Sequence, residues 1–173
     1  EQLVGQEGMG AKALLFLILT AARSGEVRGA TWEEIDLAAR VWTIPAERMK
    51  ASKAHRVPLS DAAIALLQEM KALAQAAGRN SGKAYVFPSP NSRDPELGSA
   101  LSDMTLTAVL RRLKLEAVPH GFRSTFRDWC AEQTDYPNEV AEMALAHTVG
   151  NKVGAAYRRG DLLAKRQQLM QDW

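Results

Sequence analysis

Two arginines and a histidine stand where they could gather round an anion. His120-Gly121-Phe122-Arg123 follows Val118-Pro119. A proline suits the start of a helix, so His120 and Arg123 fall in its first turn, where free backbone N–H groups and the helix dipole favour negative charge. At about 100° per residue, Phe122, Phe126 and Trp129 lie on one side of that helix and His120, Arg123 and Arg127 on the other. The expectation is an apolar face that packs and a cationic face that points outward, with a phosphate as its natural guest. Earlier, Thr20-Ala21-Ala22-Arg23-Ser24-Gly25-Glu26 places an arginine just after an apolar run. A carboxylate three residues on can hold that guanidinium by a charge-assisted hydrogen bond and leave its fork facing an anion. Each pattern is weak alone. Arg-x-x-Glu pairs are common on surfaces, and an isolated His-x-x-Arg is more often a solvated face with a capping histidine.

The elements that would position these groups follow from periodicity. Dense apolar residues from Met9 to Leu19 predict a buried helix that ends near Thr20 to Ser24, with Arg23 at its exit and a short helical turn over Glu26 to Ala30. Between Ile35 and Leu59, β-branched and aromatic residues cluster in Val41-Trp42-Thr43-Ile44 and His55-Arg56-Val57-Pro58-Leu59, with Glu47 to Ala54 between them. That predicts a small antiparallel sheet with a hairpin. Ser60 is a plausible N-cap for a helix from Asp61 to about Ala77, stopped by Gly78. Asn80 to Ala100 reads as loop apart from Tyr85-Val86-Phe87. Helices are then expected from Ser102 through Leu113, from about His120 to Gln133, from Asn138 to Ala146, over Val153 to Arg159, and from Leu162 to Trp173.

The 173 residues suit one compact domain. Twenty-two Lys and Arg against 20 Asp and Glu leave a net charge of +2, so any anion site must come from local placement of cations rather than bulk charge. The single cysteine, Cys130, excludes an internal disulfide, and no Cys/His cluster suggests a metal; a cytoplasmic protein is the simple reading. Cys130 itself reads as a small core residue. The apolar run Ala13 to Ala22 is about ten residues, too short to span a bilayer. The chain lacks a starting Met, and it is expected to be cut from a longer one whose amino-terminal region is missing. Arg111, Arg112 and Lys114 are either phosphate contacts or a solvated helix end.

Taken in order, Thr-Ala-Ala-Arg23-Ser-Gly-Glu26, Pro-His120-Gly-Phe-Arg123, Leu-Ala-His147 and Ala-Ala-Tyr157-Arg resemble the signature of tyrosine recombinases of the phage-integrase type, from about Lys12 to Trp173. Glu47-Arg48-Met49-Lys50 through Ser60, and the ending Arg166 to Trp173, resemble in particular the integrases of prophages and genomic islands. The resemblance implies a mainly helical α+β catalytic domain with a small three-stranded antiparallel sheet, spanning residues 1–173. It implies a site-specific DNA recombinase that cleaves and rejoins strands through a 3′-phosphotyrosyl link, without metal or other cofactor.

By motif match, Tyr157 is the nucleophile, Arg23 and Arg123 stabilise the charge on the scissile phosphate, His120 assists the tyrosine, and His147 contacts the phosphate. Glu26 supports the first arginine. Lys50, eight residues before Pro58, protonates the leaving oxygen, with Lys53 as its rival. Neither His147 nor Tyr157 would be chosen without its companions, since a lone histidine or a tyrosine on an Ala-rich helix is usually structural. His55 resembles a family position outside the reacting set. The implied partners are double-stranded DNA, a homo-tetramer on DNA in the full-length enzyme, and DNA-bending accessory proteins, in a bacterial cytoplasm at the nucleoid. Two departures stand out: many relatives have Gly where Ala146 stands and a basic residue where Gly154 stands. A type IB topoisomerase-like relaxing activity and a non-catalytic DNA-binding domain are the alternative readings.

Overall fold

The computed structural model describes residues 3, 5–147 and 160–173. The expected helix at Val153 to Arg159, and with it Tyr157, lies outside the described residues. The order is α1 (Met9–Thr20), α2 (Ser24–Arg28), β1 (Ile35–Asp36), β2 (Val41–Ile44), β3 (His55–Pro58), α3 (Asp61–Ala76), α4 (Thr105–Arg112), α5 (Gly121–Gln133), α6 (Asn138–Ala144) and α7 (Leu163–Asp172), with short 3₁₀ turns at Trp32–Glu34 and Ala46–Arg48. The α+β class and the three-stranded antiparallel sheet, in the order β1-β2-β3, are as expected. Trp42 pairs with both Ile35 and Val57, and Ile44 pairs with His55.

Two apolar cores share the chain. The first gathers α1, the sheet, α3 and α4 around Phe16, Trp42 and Phe87. The Phe16 ring lies 5.2 Å from that of Trp42 and 5.4 Å from that of Phe87. Thus Tyr85-Val86-Phe87, an apolar island in a polar loop, is a core strut; Thr31 and Tyr85 form an isolated β-bridge beside it. Helix α1 meets α4 closely because Gly10 has no side chain: a Cβ there would stand 2.8 Å from the Thr105 methyl. Ser60 caps α3 as its sequence suggests, accepting from the Ala63 N–H, and Gly78, at φ +74°, ends it in the left-handed region where glycine costs least.

The second core joins α5, α6 and α7 through Phe126, Cys130, Val140, Leu145 and Leu169. Trp173 packs edge-on against Phe126 and donates its indole N–H to the Ile18 carbonyl at 2.8 Å. That bond ties the end of the chain to the end of α1. The buried Arg166 ties α7 to the sheet: it donates to the backbone carbonyls of Arg56 and Asp161, while the Asp161 carboxylate pairs with both Arg166 and Arg56. No helix among the described residues is long and apolar enough to cross a membrane.

Because Phe16 touches both large rings of the first core and is fully buried, Phe16→Ala is expected to cost about 3–5 kcal/mol. Chemical denaturation of the two proteins measures this.

Candidate active site

The exit of α1 supplies the first cation. Ala21 ends the helix in the left-handed conformation, at φ 48°, which turns the chain so that Arg23 becomes the N-cap of α2. Glu26 then grips Arg23 twice: Oε2 accepts the Arg23 backbone N–H and Oε1 accepts Nη1–H, each at 2.8 Å. The carboxylate is buried while the guanidinium is about a third exposed, so the fork is fixed from behind and open in front. Arg48 steadies the whole turn. It donates to the Glu26 backbone carbonyl and to the carboxylate of Glu34, which also accepts the Trp42 indole N–H at 2.9 Å.

Helix α5 supplies the second cation, and here the expected outward-facing cationic side is corrected. Arg123 is only 5% exposed. Its helix lies between the two cores, with Phe122 against the first and Phe126 in the second, so Arg123 is enclosed while His120 and Ser124 stay exposed. A buried guanidinium needs acceptors. Nη1 donates to the Ala21 carbonyl at the end of α1, and Nη2 donates to the Leu145 carbonyl at the end of α6, at 2.6 Å. Both are helix C-terminal carbonyls, whose partial negative charge suits a cation. Burial first, then the neighbouring Arg23 charge, lower the Arg123 guanidinium to a pKa of about 10, with Glu26 opposing. It still carries its proton at neutral pH. Two like charges held this close leave a site in which an anion relieves repulsion.

His147 completes the cluster through the end of α6. The His147 N–H returns to the Glu142 carbonyl at 2.9 Å and the Ala146 N–H to the Met143 carbonyl at 3.2 Å, with Ala146 at φ 51°. This is a Schellman turn with alanine in the left-handed position that glycine usually takes. The turn folds the His147 ring back over α6, where Nδ1 meets Glu142 Oε2 at 2.8 Å and Nε2 lies 3.4 Å from Arg123 Nη2. Glu142 also accepts Arg127 Nε–H at 2.5 Å. Burial pushes the Glu142 carboxyl up, but the bonds from Arg127 and His147 outweigh it and hold the group below its ordinary range.

The structure therefore brings Arg23, Glu26, Arg123 and His147 together. His120 stands exposed at the N-cap of α5, one turn before Arg123. Lys50 and Lys53 are both exposed on the connection between β2 and β3, with Ser52 in the left-handed region between them. Neither has a hydrogen bond or ion pair to the arginines, and the fold does not choose between them. Arg111, Arg112 and Lys114 are exposed at the end of α4.

Three supporting residues escaped the sequence reading of the site. Arg48 acts through tertiary contacts alone. Glu142 lies five residues before His147, a spacing that does not bring side chains together on a straight helix and works here because the Schellman turn reverses the chain. His55, set aside as outside the reacting groups, donates Nε2–H to the Ala144 carbonyl at 3.2 Å, next to the carbonyl that Arg123 holds. Burial first, then the positive charge of Arg166, lower its imidazole from 6.5 to about 4; Glu26 opposes and Arg123 adds to the effect.

The phage integrase family model matches residues 7–162. Over 161 residues the chain is 38% identical to the prophage integrase IntA of Escherichia coli K12, covering 92% of this chain and 36% of that protein. It is 36% identical over 163 residues to the prophage integrase IntZ of the same strain, covering 93% of this chain and 38% of the relative. It is 32% identical over 178 residues to the integrase of Enterobacteria phage P4, again 93% of this chain and 38% of the relative. The chain thus spans well under half the length of these curated relatives.

His55 is neutral when folded down to about pH 4, whereas in the unfolded chain it takes a proton below about 6.5. The unfolded state binds more protons in that window, so the stability His55 confers is present above 6.5 and lost as pH falls toward 4, on the order of 3 kcal/mol. His55→Gln keeps a donor for Ala144 without titrating, and its denaturation free energy is expected to vary less with pH across that window. Ala146→Gly removes left-handed strain and is expected to raise stability by about 0.5–1 kcal/mol, read from the same melts.

Proposed function

Since the chain belongs to the phage integrase family, we propose that it is a catalytic domain that breaks and rejoins DNA strands at a specific site, with Tyr157 as nucleophile. The single observation that supports this best is the convergence of Arg23, Arg123 and His147 on one place from the ends of three helices. A phosphodiester in that place meets the open fork of Arg23, fixed in advance by Glu26, and the positive charge of Arg123, fixed by backbone carbonyls, an arrangement that stabilises charge developing on non-bridging oxygens without reorganisation.

In the proposed reaction the Tyr157 oxygen attacks phosphorus, forming the tyrosyl O–P bond as the bond to the 5′-oxygen breaks. The phenol, with an ordinary pKa of about 10, loses its proton with the help of His120. The leaving 5′-oxygen gains one from Lys50 or its rival Lys53. Attack by a 5′-hydroxyl on the phosphotyrosyl link reverses every step, so the bond energy is conserved and no nucleotide cofactor enters. Double-stranded DNA is the substrate, a homo-tetramer on two duplexes is the working assembly, and DNA-bending proteins assist it. Integration or excision of a prophage or genomic island is the outcome.

A nicked suicide duplex carrying the element's own attachment sequence, incubated with the protein that bears this chain, tests the reading. Wild type is expected to trap a covalent protein–DNA adduct and Tyr157→Phe none; an adduct with Tyr157→Phe means that another group is the nucleophile. Arg23→Ala, whose side chain is part-exposed, is expected to slow adduct formation by about 10²–10³.

A further inference from the structure

Glu142, Arg127, His147 and Arg123 form a chain of contacts in which donors and acceptors can be assigned atom by atom. The Glu142 carboxyl is held below its ordinary range, hence ionised near neutral pH and able only to accept. The proton between it and His147 must therefore sit on Nδ1 of the imidazole. On the other side of the ring, Nε2 lies 3.4 Å from Arg123 Nη2. A guanidinium can only donate, so Nε2 presents its lone pair there. In the free site His147 is thus the neutral tautomer with hydrogen on Nδ1, and a second proton on Nε2 would point at a cation.

A phosphodiester oxygen reverses that requirement. It carries negative charge and only accepts, so an imidazole with a bare Nε2 offers it a lone pair and no bond. For His147 to hydrogen-bond to a phosphate, Nε2 must gain hydrogen, and the imidazolium so formed keeps Nδ1–H on the Glu142 carboxylate. Among the described residues, the groups facing the ring are Glu142 on α6 and Arg123 on α5, with Arg127 on the far side of Glu142 and Arg23 and Glu26 beyond Arg123. The bound phosphate adds the negative charge that makes a third cation among them tolerable.

We infer that binding of a DNA phosphate at Arg23 and Arg123 drives uptake of a solvent proton onto Nε2 of His147, with Glu142 as the positioning residue that accepts Nδ1–H and balances the new charge. This rests on the reading that the site takes a DNA phosphate. It assigns Glu142 a part that its sequence position does not suggest. Arg127, anchored on Asn138 and Glu142, keeps the carboxylate in place.

The test uses the Tyr157→Phe protein, so that binding is not followed by cleavage, with histidine labelled at the ring nitrogens and the attachment-site duplex as probe. Near neutral pH the free protein is expected to show His147 protonated on Nδ1 and bare on Nε2, and the DNA complex to show both nitrogens protonated. Calorimetry in buffers of different ionisation enthalpy is expected to report uptake of about one proton per complex. Glu142→Gln, whose amide cannot balance an imidazolium, is expected to lose that uptake and to weaken DNA binding. DNA binding with Nε2 still bare, or proton uptake unchanged in Glu142→Gln, overturns the inference and leaves the proposed function standing. Absence of any DNA binding by the unsubstituted protein overturns the phosphate site itself. The spectra of the Tyr157→Phe protein decide the matter even where Glu142→Gln does not fold.

Discussion

The gathering of Arg23, Glu26 and His147 depends on one buried guanidinium and the two carbonyls it holds. Arg123 reaches from α5 to Ala21 at the end of α1 and to Leu145 at the end of α6. Those two helices belong to different apolar cores, yet each ends on the same side chain. A cation buried to this degree is tolerable only if its N–H groups are satisfied, and helix C-termini offer carbonyls that lack partners of their own. The requirement works in both directions: the carbonyls make the buried charge possible, and the charge fixes how the two helix ends face one another.

That geometry also sets the electrostatics of the site. Arg23 leaves α1 two residues after Ala21, so anchoring Ala21 on Arg123 brings a second guanidinium close by, and its repulsion adds to the burial that lowers the pKa of Arg123. Glu26 offsets part of it from the buried side without closing the exposed side of Arg23. His55 is held neutral in the same field and spends its one donor on Ala144, the residue before Leu145. The last turn of α6 is therefore fixed by two neighbouring carbonyls, one bonded to a neutral donor and the other to a charged one. Placing a second cation where His55 stands would add to a charge cluster that burial already disfavours.

How far this was legible in the sequence depends on range. The β2–β3 hairpin, the Ser60 cap, the Gly78 stop and the helices among the described residues are local signals, and all of them appear within a few residues of where periodicity and capping residues place them. β1 is two residues long and carries no pattern of its own; it exists because Ile35 finds Trp42. The Arg23–Glu26 grip is local too, a three-residue spacing at a helix start. The surroundings of Arg123 are not local. A helical wheel divides α5 into an apolar and a cationic side, but cannot show that the ends of α1 and α6 close over Arg123. Glu142 was invisible for a related reason, since its link to His147 depends on a left-handed turn at Ala146, and alanine does not announce such a turn as glycine would.

Ala146 shows how tightly the site constrains the backbone behind it. With alanine at φ 51° the turn carries a cost of about 1 kcal/mol that glycine would avoid. The turn persists because its alternatives lose more. Unwinding it would free the Glu142 and Met143 carbonyls, remove His147 from Glu142 and shift Leu145, leaving Arg123 with a buried N–H and no acceptor. A buried donor on a charged group left unpaired costs more than the strain it would relieve. The strained alanine is thus held in place by the same guanidinium that organises the rest of the site, from a position with no direct bond to it.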